Sequence, residues 1–164
     1  MKEPIRERES APDRVRYERL PEDLRHPNLV RLYRHWDEVR RRRAMPSRAD
    51  VDPLSLPELL GNLILIDVLR EPLRFRYRLI GSHLTARVKR DMTGKFFDDV
   101  PEPLYRQRLY DWHGGCVEEK APRAGVTARR LLDRWEPYEI LTLPLSSNGA
   151  DVDMTLTGLY YRED

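Results

Sequence analysis

Four histidines and one cysteine have the widest chemical range of the side chains in this sequence. His26, His35, His83 and His113 are spaced so that no two lie three or four residues apart. A helix therefore does not bring two imidazoles to one metal ion through a His-x-x-x-His pattern. Cys116 has no second cysteine with which to form an intrachain disulfide or a four-cysteine zinc site. The sequence predicts no metal site.

The arrangements that nucleophilic catalysis requires are also missing. Ser82 follows a glycine but lacks the second glycine of a Gly-x-Ser-x-Gly turn. Cys116 lies three residues after His113 beside two glycines, and this spacing does not fix a base against a nucleophile. Glu118 and Glu119 are adjacent, so their carboxylates diverge on most backbones and do not form an acid–base pair. We predict that the protein is not an enzyme.

The charges of the chain nearly balance. Thirty Lys and Arg residues against 28 Asp and Glu residues leave a formal net charge of +2, which gives no overall attraction to nucleic acid or to an anionic membrane. The longest apolar run, 62–69, contains Asp67 and is far shorter than the roughly 20 residues that cross a bilayer. The N-terminus also lacks the apolar segment of a secretory signal. We therefore expect a cytoplasmic protein that binds neither membranes nor nucleic acid.

The first 26 residues differ in composition from the rest of the chain. They contain seven basic residues, seven acidic residues and three prolines, with only scattered apolar residues. That composition offers too little apolar surface to offset the entropy lost when a chain is ordered. We predict a disordered, charged segment over 1–26. A role of this segment as a tail that binds a partner is left open. A single domain is predicted over 27–164.

An amphipathic helix is predicted over 27–43, ahead of a domain core over 44–164. Apolar residues recur in this helix at intervals of three and four positions, which is helical spacing. They are Leu29, Leu32, Tyr33, Trp36 and Val39. A single apolar stripe has to be buried, either on the rest of the domain or on another subunit. The spacing leaves both arrangements open.

Five stretches after this helix have the pattern of strands: 62–69, 73–79, 123–132, 138–145 and 153–161. Between the second and the third stretch, helical patterns occupy 82–89 and 102–113. This order favours an α+β domain in which five antiparallel strands carry the helices over one face. In the second strand, alternation places Phe75, Tyr77 and Leu79 on one face and three arginines on the other, toward water.

The order and spacing of several motifs resemble the PAS fold, and more narrowly a family of small bacterial proteins that consist largely of one PAS-like domain. The matching stretches are RAMPSRADVDPLSLPELL (43–60), LILIDV (63–68), RFRYRLIGSHL (74–84), DMTGK (91–95) and YEILTLPL (138–145). This resemblance implies a sheet with the strand order 2-1-5-4-3 and a cavity between its inner face and the helices. It also implies dimerisation through the N-terminal helix, by the five apolar residues of its stripe.

The resemblance gives the apolar and aromatic residues of the core a second possible role, as the lining of a ligand cavity. The candidates are Phe75, Tyr77, His83, Leu84, Tyr105, Leu109, Trp112, His113, Leu141, Leu143, Met154 and Leu156. His83 or His113 would be the axial ligand of a haem. Non-covalent flavin is a further cofactor seen in this fold, whereas Cys116 in GGCVEE does not match the motif of light-sensing flavin domains. The sequence leaves the cofactor, if there is one, unknown.

The function that the resemblance implies is that of a stand-alone sensory or protein-interaction module. No kinase, cyclase or DNA-binding output segment fits in the remaining residues, so we expect a signal to pass by contact with a protein partner. The alternative is a binding protein for an anionic small molecule or nucleotide that uses Arg74, Arg76, Arg78 and the arginine run 40–43. An enzyme on a PAS-like scaffold is a lesser alternative.

Overall fold

The computed structural model describes residues 12–162, which form one antiparallel sheet with helices on both faces. The strands are β1 (Val15–Arg16), β2 (Leu63–Leu69), β3 (Arg74–Ile80), β4 (Arg123–Leu131), β5 (Arg134–Leu145) and β6 (Met154–Tyr161). They lie in the order β1-β4-β5-β6-β2-β3. The prediction of five strands is therefore wrong in number, because β1 adds an edge strand outside β4. The five longer strands keep the neighbours that the predicted order gives them.

Three α-helices accompany the sheet in this part of the chain. They are α1 (Pro27–Arg40), α2 (Ser82–Val88) and α3 (Pro103–Glu119), with short 3-10 helices at Pro53–Ser55, Pro57–Asn62 and Phe97–Asp99. Helix α1 ends three residues before the predicted boundary, because Arg41 takes a positive φ of 55°. Helix α3 is longer than predicted, since it continues through Gly114 and Gly115. No helix within residues 12–162 is both long and apolar enough to span a membrane.

Helices α1 and α3 pack on opposite faces of the sheet. The Trp36 side chain on α1 donates from Nε1 to the carbonyl oxygen of Pro144, 3.0 Å away. The Trp112 side chain on α3 donates from Nε1 to Thr142 Oγ1, at 2.9 Å. Gly158 on β6 leaves room for α1, because a Cβ there would come within 2.8 Å of side-chain carbons of two of its leucines. The helices therefore do not share one face, and the apolar stripe of α1 is buried on its own domain.

The prediction of disorder over 1–26 is wrong for residues 12–26, while residues 1–11 lie outside the described part of the chain. Tyr17 and Leu24 are buried, although they are among the few apolar residues of this segment. The carboxylate of Glu139 on β5 accepts a hydrogen bond from the Tyr17 hydroxyl at 2.7 Å. It also accepts from the backbone N–H groups of Arg25 and His26, at 3.0 and 2.7 Å. One buried carboxylate thus joins this segment to β5 by three hydrogen bonds, which the composition of the segment alone does not reveal.

Strand β3 contains a bulge that changes which side chains face the core. Arg78 is an extra residue that has no partner on β2. Before it, Phe75 and Tyr77 are buried as predicted, whereas Leu79 after it is 41% exposed. Ile80 takes the inward position and lines a small cavity together with Tyr77. Such an insertion reverses the alternation of a strand, so the prediction that Leu79 shares the buried face is wrong.

Candidate ligand site beneath helix α3

A cavity of about 160 Å³ lies between helix α3 and the sheet. Its lining comes from α3, from all six strands and from Arg14, which precedes β1. An engineered cavity of about 150 Å³ with apolar walls takes up benzene, so this space has room for about one aromatic ring. A porphyrin or an isoalloxazine is larger than that, and the cavity does not fit a haem or a flavin.

The structure brings some of the predicted lining residues to this cavity. Five of the twelve line it: Tyr77, Tyr105, Leu109, Trp112 and His113. Leu84 on α2 lines an adjoining space of about 50 Å³, to which Tyr77 and Tyr105 also contribute. Four predicted residues of α3 and one of β3 therefore meet at this cavity.

The remaining predicted residues lie elsewhere. Phe75 packs in an aromatic cluster, with its ring centre 5.0 Å from that of Phe97. His83 is exposed, and its Nδ1 lies 2.9 Å from Asn62 Oδ1. The four candidates for the cavity floor, which are Leu141, Leu143, Met154 and Leu156, alternate along β5 and β6 with residues that do line the cavity. They therefore belong to the opposite face, which α1 covers.

Arginines that the sequence did not single out surround the cavity. Of the described residues that line it, four are arginines and none is an aspartate or a glutamate. Arg16 forms an ion pair with Glu119 at 2.5 Å. Within residues 12–162, Arg14, Arg108 and Arg123 have no carboxylate within ion-pairing distance. Arginines thus outnumber carboxylates at the cavity wall, although the charges of Glu119 and Asp111 act to raise the pKa of Arg123.

Neutral partners hold two of these arginines in position. The guanidinium of Arg108 donates from Nη2 to the hydroxyl of Thr127 on β4. Arg123 donates from Nη1 to the carbonyl oxygen of Trp112 at 2.8 Å, and its guanidinium lies 4.8 Å from the centre of that ring. Burial lowers the pKa of Arg14, and the nearby charge of Arg108 lowers it further. The charge of Asp111 acts on the pKa of Arg14 in the opposite direction.

His113 is a deeply buried polar side chain of the cavity wall, at 2% exposure. Its ring packs against Phe75 and Phe97, with centre-to-centre distances of 5.9 and 5.1 Å. Burial lowers the pKa of His113 to about 3, and the charge of Arg123 acts in the same direction. The imidazole is therefore neutral near pH 7. Its Nδ1 is buried and has no hydrogen-bond partner among the described residues.

The lowered pKa of His113 makes stability depend on pH. Below about pH 6.5 the unfolded chain takes up a proton on this residue, whereas the folded chain does so only near pH 3. Stability should fall as the pH drops through that window, by up to about 1.4 kcal/mol per pH unit. His113→Phe should weaken this dependence in urea unfolding at pH 5, 6 and 7. An equal slope for His113→Phe and the unchanged protein would contradict the assignment.

The arginine row on β3 differs from the cavity arginines, because each of its arginines forms an ion pair. Asp67 is paired with both Arg76 and Arg78, at 3.0 and 2.8 Å. Arg74 is paired with Asp98 at 3.0 Å. Two aspartates therefore offset most of the charge of the three arginines on β3. No group of three or more His, Cys, Asp or Glu side chains in residues 12–162 is placed to hold a metal ion.

An antiparallel sheet with a ring-sized cavity beneath one helix defines an α+β domain with an internal cavity. A sequence model of the PAS domain matches residues 24–161, and the chain therefore belongs to the PAS domain family. The resemblance to the PAS fold is thereby confirmed. Domains of this family serve in general as sensory and interaction modules. No curated protein has a sequence that matches this chain.

Proposed function

We propose that this protein is a ligand-responsive PAS module, which binds a small organic molecule in the cavity and signals by contact with a protein partner. The observation that carries the proposal is the ring-sized cavity with His113 in its wall. Buried polar atoms are almost always hydrogen-bonded, and an unpaired one calls for a partner. A bound molecule would supply the partner that His113 Nδ1 lacks.

The N-terminal segment is the element through which the cavity would influence the surface. Arg14, Val15 and Arg16 line the cavity, and the chain continues from them into α1. Two residues of this segment pair with β4 and the Tyr17 N–H donates to the Ala124 carbonyl oxygen at 2.7 Å, so its pairing with the edge of the sheet is short. A ligand that binds more tightly when β1 is paired would favour the paired state by that difference in affinity. Helix α1 would carry the change to a partner.

A partner or a second subunit would contact the part of α1 that its own sheet leaves accessible. Leu29, Leu32 and Trp36 are at most 3% exposed within the single chain, because they pack on its own sheet. Tyr33 and Val39 are half-buried and remain partly accessible. We therefore place the predicted dimer or partner interface around these two residues and the polar residues that flank them.

The experiment combines native mass spectrometry of the freshly purified protein with hydrogen exchange of residues 12–40. We expect a bound mass the size of one substituted ring, and faster exchange in 12–26 after the ligand is stripped. Gly125→Ala should abolish this response, because a Cβ there would meet the Val15 carbonyl oxygen at 2.0 Å and prevent β1 from pairing.

Gly114→Ala is the matched control for that variant. A Cβ at Gly114 meets nothing within 4 Å, so the substitution should leave both binding and exchange unchanged. The proposal fails if the purified protein carries no ligand and neither benzamide nor benzoate binds.

A further inference from the structure

We propose that the ligand is a small organic anion, an aromatic or branched aliphatic monocarboxylate. Its apolar part fills the cavity, and its carboxylate meets the arginines at the cavity edge. This inference rests on the proposed function and specifies the chemical class of the molecule that the same cavity binds.

The walls of the cavity favour an apolar ligand body. Ile64, Ile66, Leu109, Ile140 and Leu159 line it from one helix and three strands. The apolar surface that such a ligand buries against these walls is removed from contact with water, and the free-energy gain is proportional to its area. A fully polar molecule would gain nothing from these walls and would lose its own hydration.

The charge around the cavity favours a negative ligand. Arg14, Arg108 and Arg123 come from three separate parts of the chain and meet here without a carboxylate partner in residues 12–162. Like charges held together in a partly buried place repel each other. The Nε of Arg123 is also buried without a hydrogen-bond partner. A carboxylate would reduce the repulsion between the arginines and could accept a hydrogen bond from Arg123. It is an anion that a guanidinium binds through two parallel hydrogen bonds.

The size of the cavity limits the ligand to one ring and one anionic group. A space of about 160 Å³ has no room for the base, sugar and phosphate of a nucleotide. Arg16 is already paired with Glu119, so the positive charge left for a ligand comes from the three other arginines. The nucleotide alternative drawn from the sequence does not fit this site, whereas a benzoate-sized molecule does.

Benzoate and benzamide provide the test, because they have nearly the same shape and differ in charge. Calorimetric titration of the unchanged protein should show benzoate binding about tenfold or more tightly than benzamide. The double variant Arg14→Gln/Arg108→Gln should bring the two affinities together. Arg76→Gln is the matched control, since Arg76 is paired with Asp67 away from the cavity, and it should preserve the preference for benzoate.

The outcomes separate this inference from the proposed function. Equal binding of benzoate and benzamide would overturn the anionic class and keep the cavity as a ligand site. Binding of neither compound at about 10 mM would overturn both, because that concentration detects even weak single-ring ligands. If the double variant does not fold, the ratio of the two affinities in the unchanged protein decides the matter.

Discussion

Trp36→Ala is expected to lower the free energy of unfolding by about 3–5 kcal/mol. The side chain is 3% exposed, and it fills the space between α1 and the sheet. Its removal leaves a cavity and takes the donor away from the Pro144 carbonyl oxygen. Urea unfolding followed by circular dichroism measures the loss. Tyr33→Ala, at a half-buried position of the same helix, should lower the free energy of unfolding by less.

Protein concentration distinguishes packing within the chain from packing between subunits. If α1 covers its own sheet, the loss caused by Trp36→Ala is the same at low and at high protein concentration. If the stripe were held between two subunits, the stability of the unchanged protein would rise with concentration. That second result would contradict the burial of Leu29, Leu32 and Trp36 within one chain.

Glu139→Ala is expected to cost about 3 kcal/mol of unfolding free energy, because three hydrogen-bond donors lose their acceptor at once. The carboxylate is 8% exposed, and it joins β5 to the N-terminal segment through the Tyr17 hydroxyl and two backbone N–H groups. Burial, and then the hydrogen bond to Glu139, raises the pKa of Tyr17 to about 12, so the phenol stays a donor at neutral pH.

Hydrogen exchange of residues 12–26 measures the same change locally. It should become faster in Glu139→Ala, while the exchange of β5 and β6 changes less. Glu139→Gln keeps a carbonyl oxygen that can still accept a hydrogen bond. The exchange rate of residues 12–26 in this variant should therefore lie between the rates of the unchanged protein and of Glu139→Ala. Unchanged exchange in residues 12–26 of Glu139→Ala would show that the segment is held by other contacts.

The elements with one apolar side could be predicted from the sequence. Helix α1 has a single stripe at helical spacing, which predicted the helix but left open whether the stripe packs on its own domain or on another subunit. The first half of β3 alternates cleanly, which correctly placed Phe75 and Tyr77 inside. Prediction failed at Arg78, because a bulge depends on how two strands pair and leaves no mark in the composition of either.

The face of β5 that lines the cavity could not be predicted. Every residue from Tyr138 to Leu145 is buried, since helices cover the sheet on both sides. Alternation then gives no sign of which side faces α3, and Leu141 and Leu143 were assigned to the wrong one. The hydrogen bond from Trp112 to Thr142 shows which face of β5 is turned toward α3. The two residues are 30 positions apart, so no local sequence pattern predicts this contact.

The arginines of the cavity were missed for a related reason. Arg14, Arg108 and Arg123 are scattered among thirty basic residues, and no local pattern groups them. The pairing of β1 with β4 and the packing of α3 bring them together. Arg14 also lay in a segment that its composition had marked as disordered.

The pairing of β1 with β4 also sets the order in which the molecule is assembled during synthesis. Val15 pairs with Val126, and Tyr17 bonds to Glu139, which is 122 positions later in the chain. A ribosome makes the N-terminal segment first, yet its partners emerge only when most of the chain has been translated. The segment therefore has no strand to pair with until β4 has been made. Strand β1, which forms part of the cavity wall, is synthesised more than 100 residues before the strand that holds it in place.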